Sequence, residues 1–253
     1  MDKQLDIFKK ILADAKKSIL KSNNSVINNR DNIQTKADIV SQENIINALK
    51  KYKISCKLYS EELNEPLLIG DGRYEIILDP LDGSFMFLHG IQAFTSIAMM
   101  VLENRNVKYA LVQSIDNKNL YYCDHMGAYL NGKKMECRLN DAEEPYLITG
   151  FAAKKKRLDH ISALKELSSN FYFIGDGGPL FSAMVASNKI DAAIEFSPTS
   201  FNELAGAIIA QKAGALVETI NGNPITLDPL IRQTLIVARS EKLLKDLQRV
   251  LKH

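Results

Sequence analysis

The chain is poor in the residues that build disulfide frameworks and soft-metal sites. Its 253 residues include three cysteines, Cys56, Cys123 and Cys137, in odd number and without a CxxC spacing. Neither a zinc knot nor a disulfide scaffold is therefore expected, and a reducing, cytoplasmic setting fits. No stretch approaches the ~18 consecutive apolar residues that a membrane-spanning helix needs. The opening Met1-Asp2-Lys3-Gln4 carries no apolar signal core, so a protein with no membrane partner is expected. Charge of one sign is also lacking: 32 basic residues face 30 acidic ones, for a net charge of +2. A nucleic-acid partner, which calls for a concentrated basic face, is not expected. The one compact basic run, Lys154-Lys155-Lys156-Arg157, reads as a solvated turn. There is no internal repeat and no low-complexity linker. What is present is 46% hydrophobic and 25% charged residues, enough apolar material for a real core.

Apolar residues at Leu5, Phe8, Ile11, Leu12, Ala15, Ile19 and Leu20 make a helical stripe. A second amphipathic helix is expected from Ser41, as N-cap, to Tyr52, with Ile45, Ile46 and Leu49 inward. The pattern then shifts to short β-like runs at 57–60, 74–78, 95–102, 107–113 and 120–123. They are separated by Gly-Asp-Gly, Asn-Arg-Asn and Asp-Asn-Lys-Asn turns, which predicts a largely antiparallel sheet. Asn131-Gly132 marks a further tight turn. From Tyr146 strands and helices alternate to the end, which predicts α/β layering. The expected organisation is an N-terminal α+β half, residues 1–145, with the sheet and a metal site. A C-terminal α/β half, residues 146–253, completes a substrate pocket, and the boundary is soft near Asp141–Pro145.

The chemically informative segment is Ile76-Ile77-Leu78-Asp79-Pro80-Leu81-Asp82-Gly83-Ser84. An apolar strand runs into two aspartates three residues apart. Pro80 fixes φ and removes a donor, so the strand is expected to stop there and the chain to turn, letting Asp79 and Asp82 converge. Two carboxylates brought together repel unless a cation or proton lies between them. Oxygen ligands without nearby His or Cys favour Mg²⁺, Mn²⁺ or Ca²⁺ over zinc. Gly83-Ser84 follows, and backbone N–H groups after such a turn suit a phosphate oxygen. Upstream, Ser60-Glu61-Glu62 ends another β-like run and can supply a further ligand and a base for water. Either acidic segment alone could be a charged turn; together they point to phosphoryl chemistry.

The DPLDGS segment at 79–84, continued by Phe87-Leu88-His89-Gly90, resembles the DPxDGT/S signature of the inositol monophosphatase family. Asp38-Ile39-Val40-Ser41, Ser60-Glu61-Glu62, Gly127-Ala128-Tyr129-Leu130-Asn131-Gly132, and Phe201-Asn202-Glu203-Leu204-Ala205-Gly206 with Ala213-Gly214 resemble other motifs of that family, in the same order. The resemblance implies a mixed α/β (α+β) fold, a layered αβαβα sandwich, in a homodimer. It also implies hydrolysis of a small phosphomonoester assisted by two or three Mg²⁺ ions. Carried over by position, Glu61, Asp79, Asp82, the Leu81 carbonyl and Asn202 would be metal ligands. Ser84, Asp38 and Glu61 would activate water, while Gly83, Ser84, Asp82 and Glu195 would meet the substrate.

The chain also departs from that pattern. Asn202 stands for an aspartate, Phe201 for a tryptophan and Met86 for a polar residue. Ile174-Gly175-Asp176-Gly177-Gly178 replaces an Arg-Ser-x-Gly segment. These changes bear on the number of metals and on the substrate. Inositol monophosphate or a related sugar phosphate leads. A 3′(2′),5′-bisphosphate nucleotidase and a catalytically weakened binding protein are the alternatives. His89 beside the motif reads as structural.

Overall fold

In a computed structural model, residues 2–22, 25–29, 33–138, 146–151, 161–199, 203–231 and 233–251 are described. The chain divides into two compact units, Met1–His125 and Met126–His253. The boundary expected near Asp141–Pro145, the basic run Lys154–Arg157, and Phe201 and Asn202 lie outside the described residues.

The first unit opens with helix α1 (Lys3–Lys21), whose apolar stripe is buried as expected at Leu5, Phe8, Ile11, Leu12, Ala15 and Ile19, whereas Leu20, also expected in the stripe, is exposed beside the helix end. Asp2 caps it by accepting a hydrogen bond from the N–H of Gln4 at 3.0 Å. A small hairpin, β1 (Val26–Asn29) and β2 (Ile33–Thr35), leads into α2 (Lys36–Lys51). Helix α2 starts five residues before the expected Ser41. The cap is Thr35, whose N–H and hydroxyl both donate to the Asp38 carboxylate, at 2.7 and 2.6 Å. A Thr-x-x-Asp box of this kind defines a helix start as well as Ser does. Ser41 lies inside the helix, where its buried hydroxyl donates instead to the Pro80 carbonyl at 2.7 Å.

The sheet of this unit contains β3 (Cys56–Ser60), β4 (Leu67–Ile69), β5 (Tyr74–Asp82), β6 (Ser96–Glu103), β7 (Asn106–Ser114) and β8 (Leu120–Asp124). Their spatial order is β4-β3-β5-β6-β7-β8. Every pairing is antiparallel except β3 with β5, which run parallel in register from Cys56↔Tyr74 to Ser60↔Leu78. The β6–β7 turn is Asn104-Arg105, both at positive φ, as a two-residue hairpin loop requires.

Pro80 does not stop β5, contrary to the sequence expectation; the strand continues to Asp82. Against β6, Asp79 pairs with Ala98 and Asp82 with Ser96. Three steps along β5 thus match two along β6. Side chains three apart on a regular strand point to opposite faces. The extra residue of the bulge restores the parity and brings both aspartates to one face. The donorless Pro80 sits within this irregularity, where a strand tolerates it. Short helix α3 (Ser84–Leu88) follows.

The second unit begins with the hairpin β9 (Gly127–Leu130) and β10 (Lys133–Met135), turned by Asn131-Gly132 at positive φ. Its main sheet has the order β12-β11-β13-β15-β14, from β11 (Leu147–Phe151), β12 (Tyr172–Ile174), β13 (Ala192–Thr199), β14 (Leu216–Thr219) and β15 (Gln233–Ala238). β12, β11 and β13 are parallel, and β15 is antiparallel to its neighbours. The helices are α4 (Ile161–Asn170), α5 (Pro179–Ala186), α6 (Glu203–Lys212) and α7 (Glu241–Leu251). Ile148, Leu167, Ile194, Ile236, Leu243 and Leu247 anchor the core of this unit. At Gly206 an added Cβ would lie 2.1 Å from the Pro179 carbonyl oxygen, so only glycine lets α5 and α6 approach as they do. The mixed α/β character expected from the sequence is present in both units.

Candidate active site

Parallel pairing positions the acids. Because β3 and β5 run side by side in the same direction, the residues that follow them emerge together. The N–H of Glu61 donates to the Leu78 carbonyl at 3.2 Å, extending the pairing by one residue and setting Glu61 beside the start of the Asp79–Asp82 bulge. The carboxyl ends of parallel strands are a recurrent place for ligand sites. Helix α2 presents Asp38 to the same place and is tied to the bulge by the Ser41–Pro80 hydrogen bond.

Asp79 is fully buried. Its Oδ1 accepts a hydrogen bond from the N–H of Leu81 at 3.0 Å, while its Oδ2 has no partner among the described residues. Burial, then the negative charges of Glu61, Asp82 and Asp38, push its carboxyl well above the usual carboxylate range. Asp38 is also raised, first by burial, although hydrogen bonds from Ser84 and Thr35 oppose the shift. Glu62 is pushed up to about 7 by burial, with Asp38 and Glu61 adding to it and a hydrogen bond from the Gln34 amide opposing it.

The structure brings Asp38, Glu61, Asp79 and Asp82 within electrostatic reach of one another. Among the described residues no three His, Cys, Asp or Glu side chains stand together as they would to hold a metal ion; the acids form an open cluster. Its donors suit a divalent cation: they are hard oxygens, one of them a buried carboxylate oxygen without a partner among the described residues.

Ser84 Oγ lies 2.5 Å from Asp38 Oδ1 and 2.8 Å from the Leu81 carbonyl oxygen. One hydroxyl proton serves these two acceptors, so the serine oxygen keeps lone pairs to accept from water. The Leu81 carbonyl, expected as a ligand, is thereby part of the cluster. Gly83 sits at φ +79°, and a Cβ there would meet the Phe94 carbonyl at 3.0 Å. This tight left-handed turn explains why glycine stands between Asp82 and Ser84. Glu195 lies in the second unit, buried on β13 in register with Leu235. Asn202 is outside the described residues.

Sequence reasoning missed three contributors: Thr35, which fixes Asp38; Gln34, which bonds Glu62; and Ser41, which anchors α2 to the bulge. The Thr35-x-x-Asp38 box was the available signal for the first. The other two contacts join residues 28 and 39 positions apart, and no local pattern announces them.

A family model for the inositol monophosphatase family matches residues 3–252. A fructose-1,6-bisphosphatase/inositol-1-monophosphatase of Methanocaldococcus jannaschii is 28% identical over 212 residues, covering 82% of this chain and 80% of the relative. A Nus factor SuhB of Pseudomonas aeruginosa is 26% identical over 197 residues, covering 75% and 73%. Among solved structures, the extragenic suppressor protein suhB from Bartonella henselae superposes with a TM-score of 0.84 at 22% identity, covering 98% of each chain. An IMPase/NADP phosphatase complexed with Mg²⁺ and phosphate gives 0.79 at 22% identity, covering 96% of this chain and 91% of that one. At these identities the structural matches speak for the fold, which is that of the inositol monophosphatase structures.

Proposed function

Because the chain belongs to the inositol monophosphatase family, a family whose relatives are named as phosphatases, we propose that it hydrolyses a small phosphomonoester. The substrate would be an inositol monophosphate or a related sugar phosphate, and the reaction would depend on Mg²⁺. The observation that carries this reading is the cluster of Glu61, Asp79 and Asp82 at the ends of β3 and β5 with Asp38 of α2, and an Asp79 oxygen that has no partner among the described residues. Curated relatives named as fructose-1,6-bisphosphatases support a sugar phosphate, while a nucleotide phosphate stays the alternative to be tested.

Glu61, Asp79, Asp82 and the Leu81 carbonyl would hold the cation, with Asn202 as a further, uncharged ligand. When bound, Mg²⁺ supplies positive charge that offsets phosphate repulsion and makes bound water more acidic. The protein's own part is positioning and proton handling. Thr35 locks Asp38 through two hydrogen bonds, leaving Oδ1 aimed at Ser84. Ser84 can then accept a hydrogen bond from the attacking water while donating its own proton toward Asp38. Asp38, its carboxyl raised by burial, is a better proton acceptor than a solvated carboxylate. Gly83 and Ser84 would offer backbone N–H groups to the phosphate, and Glu195 would bind a substrate hydroxyl.

Phosphate release from a panel of polyol, sugar and nucleoside phosphomonoesters, measured at graded Mg²⁺, tests the proposal, with Asp82→Asn as control. Turnover that requires Mg²⁺ and is lost in the variant is expected, with the best substrate among the polyol or sugar phosphates. No turnover at any Mg²⁺ concentration would sink the enzymatic reading and move the protein toward a binding role.

A further inference from the structure

The sheet face that carries Asp79 and Asp82 extends beyond β5. Directly paired residues of neighbouring strands point to the same side. The register therefore places Ala98 and Val112 in the row of Asp79, and Ser96 and Ser114 in the row of Asp82. Asp82, Ser96 and Ser114 thus form a polar line across β5, β6 and β7, next to the line of Asp79, Ala98 and Val112.

Both serines are fully buried, and among the described residues neither hydroxyl has a hydrogen-bond partner. A buried hydroxyl in that state is costly, and alanine would occupy either position without the cost. Two such groups in consecutive places of one row, with a candidate cation ligand at its head, are not accounted for by packing. The far end of the row is fixed. The Ser114 carbonyl accepts from Lys16 Nζ at 2.9 Å and from the Gln113 side-chain amide at 3.0 Å.

We infer that Ser96 and Ser114 are positioning residues for Asp82: their hydroxyls form a buried donor row, bridged by water where reach requires, that orients the carboxylate toward a divalent cation. Each hydroxyl offers one proton and can relay a hydrogen bond through its lone pairs. A water between such groups is plausible because the site is polar and supplies several partners. Groups that hold a metal ligand from behind commonly govern metal affinity as much as orientation. Ser96, adjacent to Asp82, carries the larger share and Ser114 the smaller. The inference rests on the proposed cation-dependent reading.

Magnesium titration by calorimetry, and Mn²⁺ titration by electron paramagnetic resonance, on the full chain without substrate test it. Ser96→Ala should weaken cation binding about tenfold, Ser114→Ala less, and the double variant more than either. Ser96→Thr, which keeps the hydroxyl, should restore most of the affinity. In EDTA, Ser96→Ala should melt no lower than the unmodified protein, since the Ser96 hydroxyl has no direct partner among the described residues and its orienting contact matters once the cation is bound. Unchanged cation affinity in Ser96→Ala overturns the inference. So does an equal loss in Ser96→Ala and Ser96→Thr accompanied by lower melting in EDTA, which would mark a packing role. An unmodified protein that binds neither ion overturns the phosphatase reading together with this inference, whereas normal binding beside unchanged variants overturns the inference alone.

Discussion

Two buried aspartates, one in each unit, are treated in opposite ways. Asp191, in the second unit, is ion-paired with Arg239, and its Oδ2 accepts the N–H of Leu147 at 2.5 Å. The N–H of Arg239 donates in turn to the Asp191 carbonyl at 3.0 Å, so charge and backbone lock together at the start of β13 and the end of β15. Asp79, in the first unit, receives one backbone N–H and otherwise meets Glu61, Asp82 and Asp38. A buried charge normally has an opposite partner or shifts its pKa. Asp191 has the partner and Asp79 has the shift. The first acid belongs to the architecture; the second is arranged so that an added cation completes it, at a cost to the stability of the chain by itself.

That contrast predicts opposite outcomes for similar substitutions. Asp79→Asn should lower Mg²⁺-dependent phosphate release on the order of a hundredfold or more. In EDTA, however, it should leave the melting temperature unchanged or raised, because a like charge has been removed. A lowered melting temperature in EDTA would erase the distinction between the two acids. Asp191→Ala should cost about 3 kcal/mol of unfolding free energy, since Arg239 is left buried without its counter-charge. Chemical denaturation measures this loss, and a change under about 1 kcal/mol would show that the ion pair is not structural.

The smallest effect concerns the thiols, which give each unit its own reporter. Burial pushes Cys56, on β3, and Cys137, in the second unit, both up to about 11. At pH 8 only about one thiol in a thousand is ionised in the folded state; Cys56 is buried and Cys137 half-buried, so alkylation of Cys56 reports opening most directly. Because these folded values lie above the ordinary thiol value of 9.0, the stability tied to them is complete below pH 9 and lost as pH rises through about 11. Added Mg²⁺ should slow labelling of Cys56 more than of Cys137, since ligand binding stabilises the unit that holds the site. Equal slowing, followed by mass spectrometry of the labelled peptides, would mean that the cation is felt by both units alike.

Much of this was legible in the chain itself. The stripe of α1 and the strand–helix alternation after Tyr146 follow from residue spacing, because burial of an apolar face imposes the period of the element that carries it. The turns at Asn104-Arg105 and Asn131-Gly132 follow from residues that accept positive φ. The concentration of acids at 61–62 and 79–82, and the glycine before Ser84, marked the site before any coordinates. Two local rules misled. Ser41 looked like a cap because serine commonly starts a helix, whereas the Thr35–Asp38 box, which begins six residues upstream, had already started it. Pro80 looked like a stop because its missing N–H is a defect in a regular ladder, whereas a bulge has a place for it.

The sequence alone therefore determined which carboxylates could matter and the periodic elements that bear them, since both depend on neighbours along the chain. Only the tertiary structure decided how those acids act together. The parallel pairing of β3 with β5, the one-residue bulge that turns Asp79 and Asp82 to one face, and the tie from Ser41 to Pro80 join residues far apart in sequence. Their electrostatic coupling arises only when folding removes the water that would otherwise screen each charge from the next.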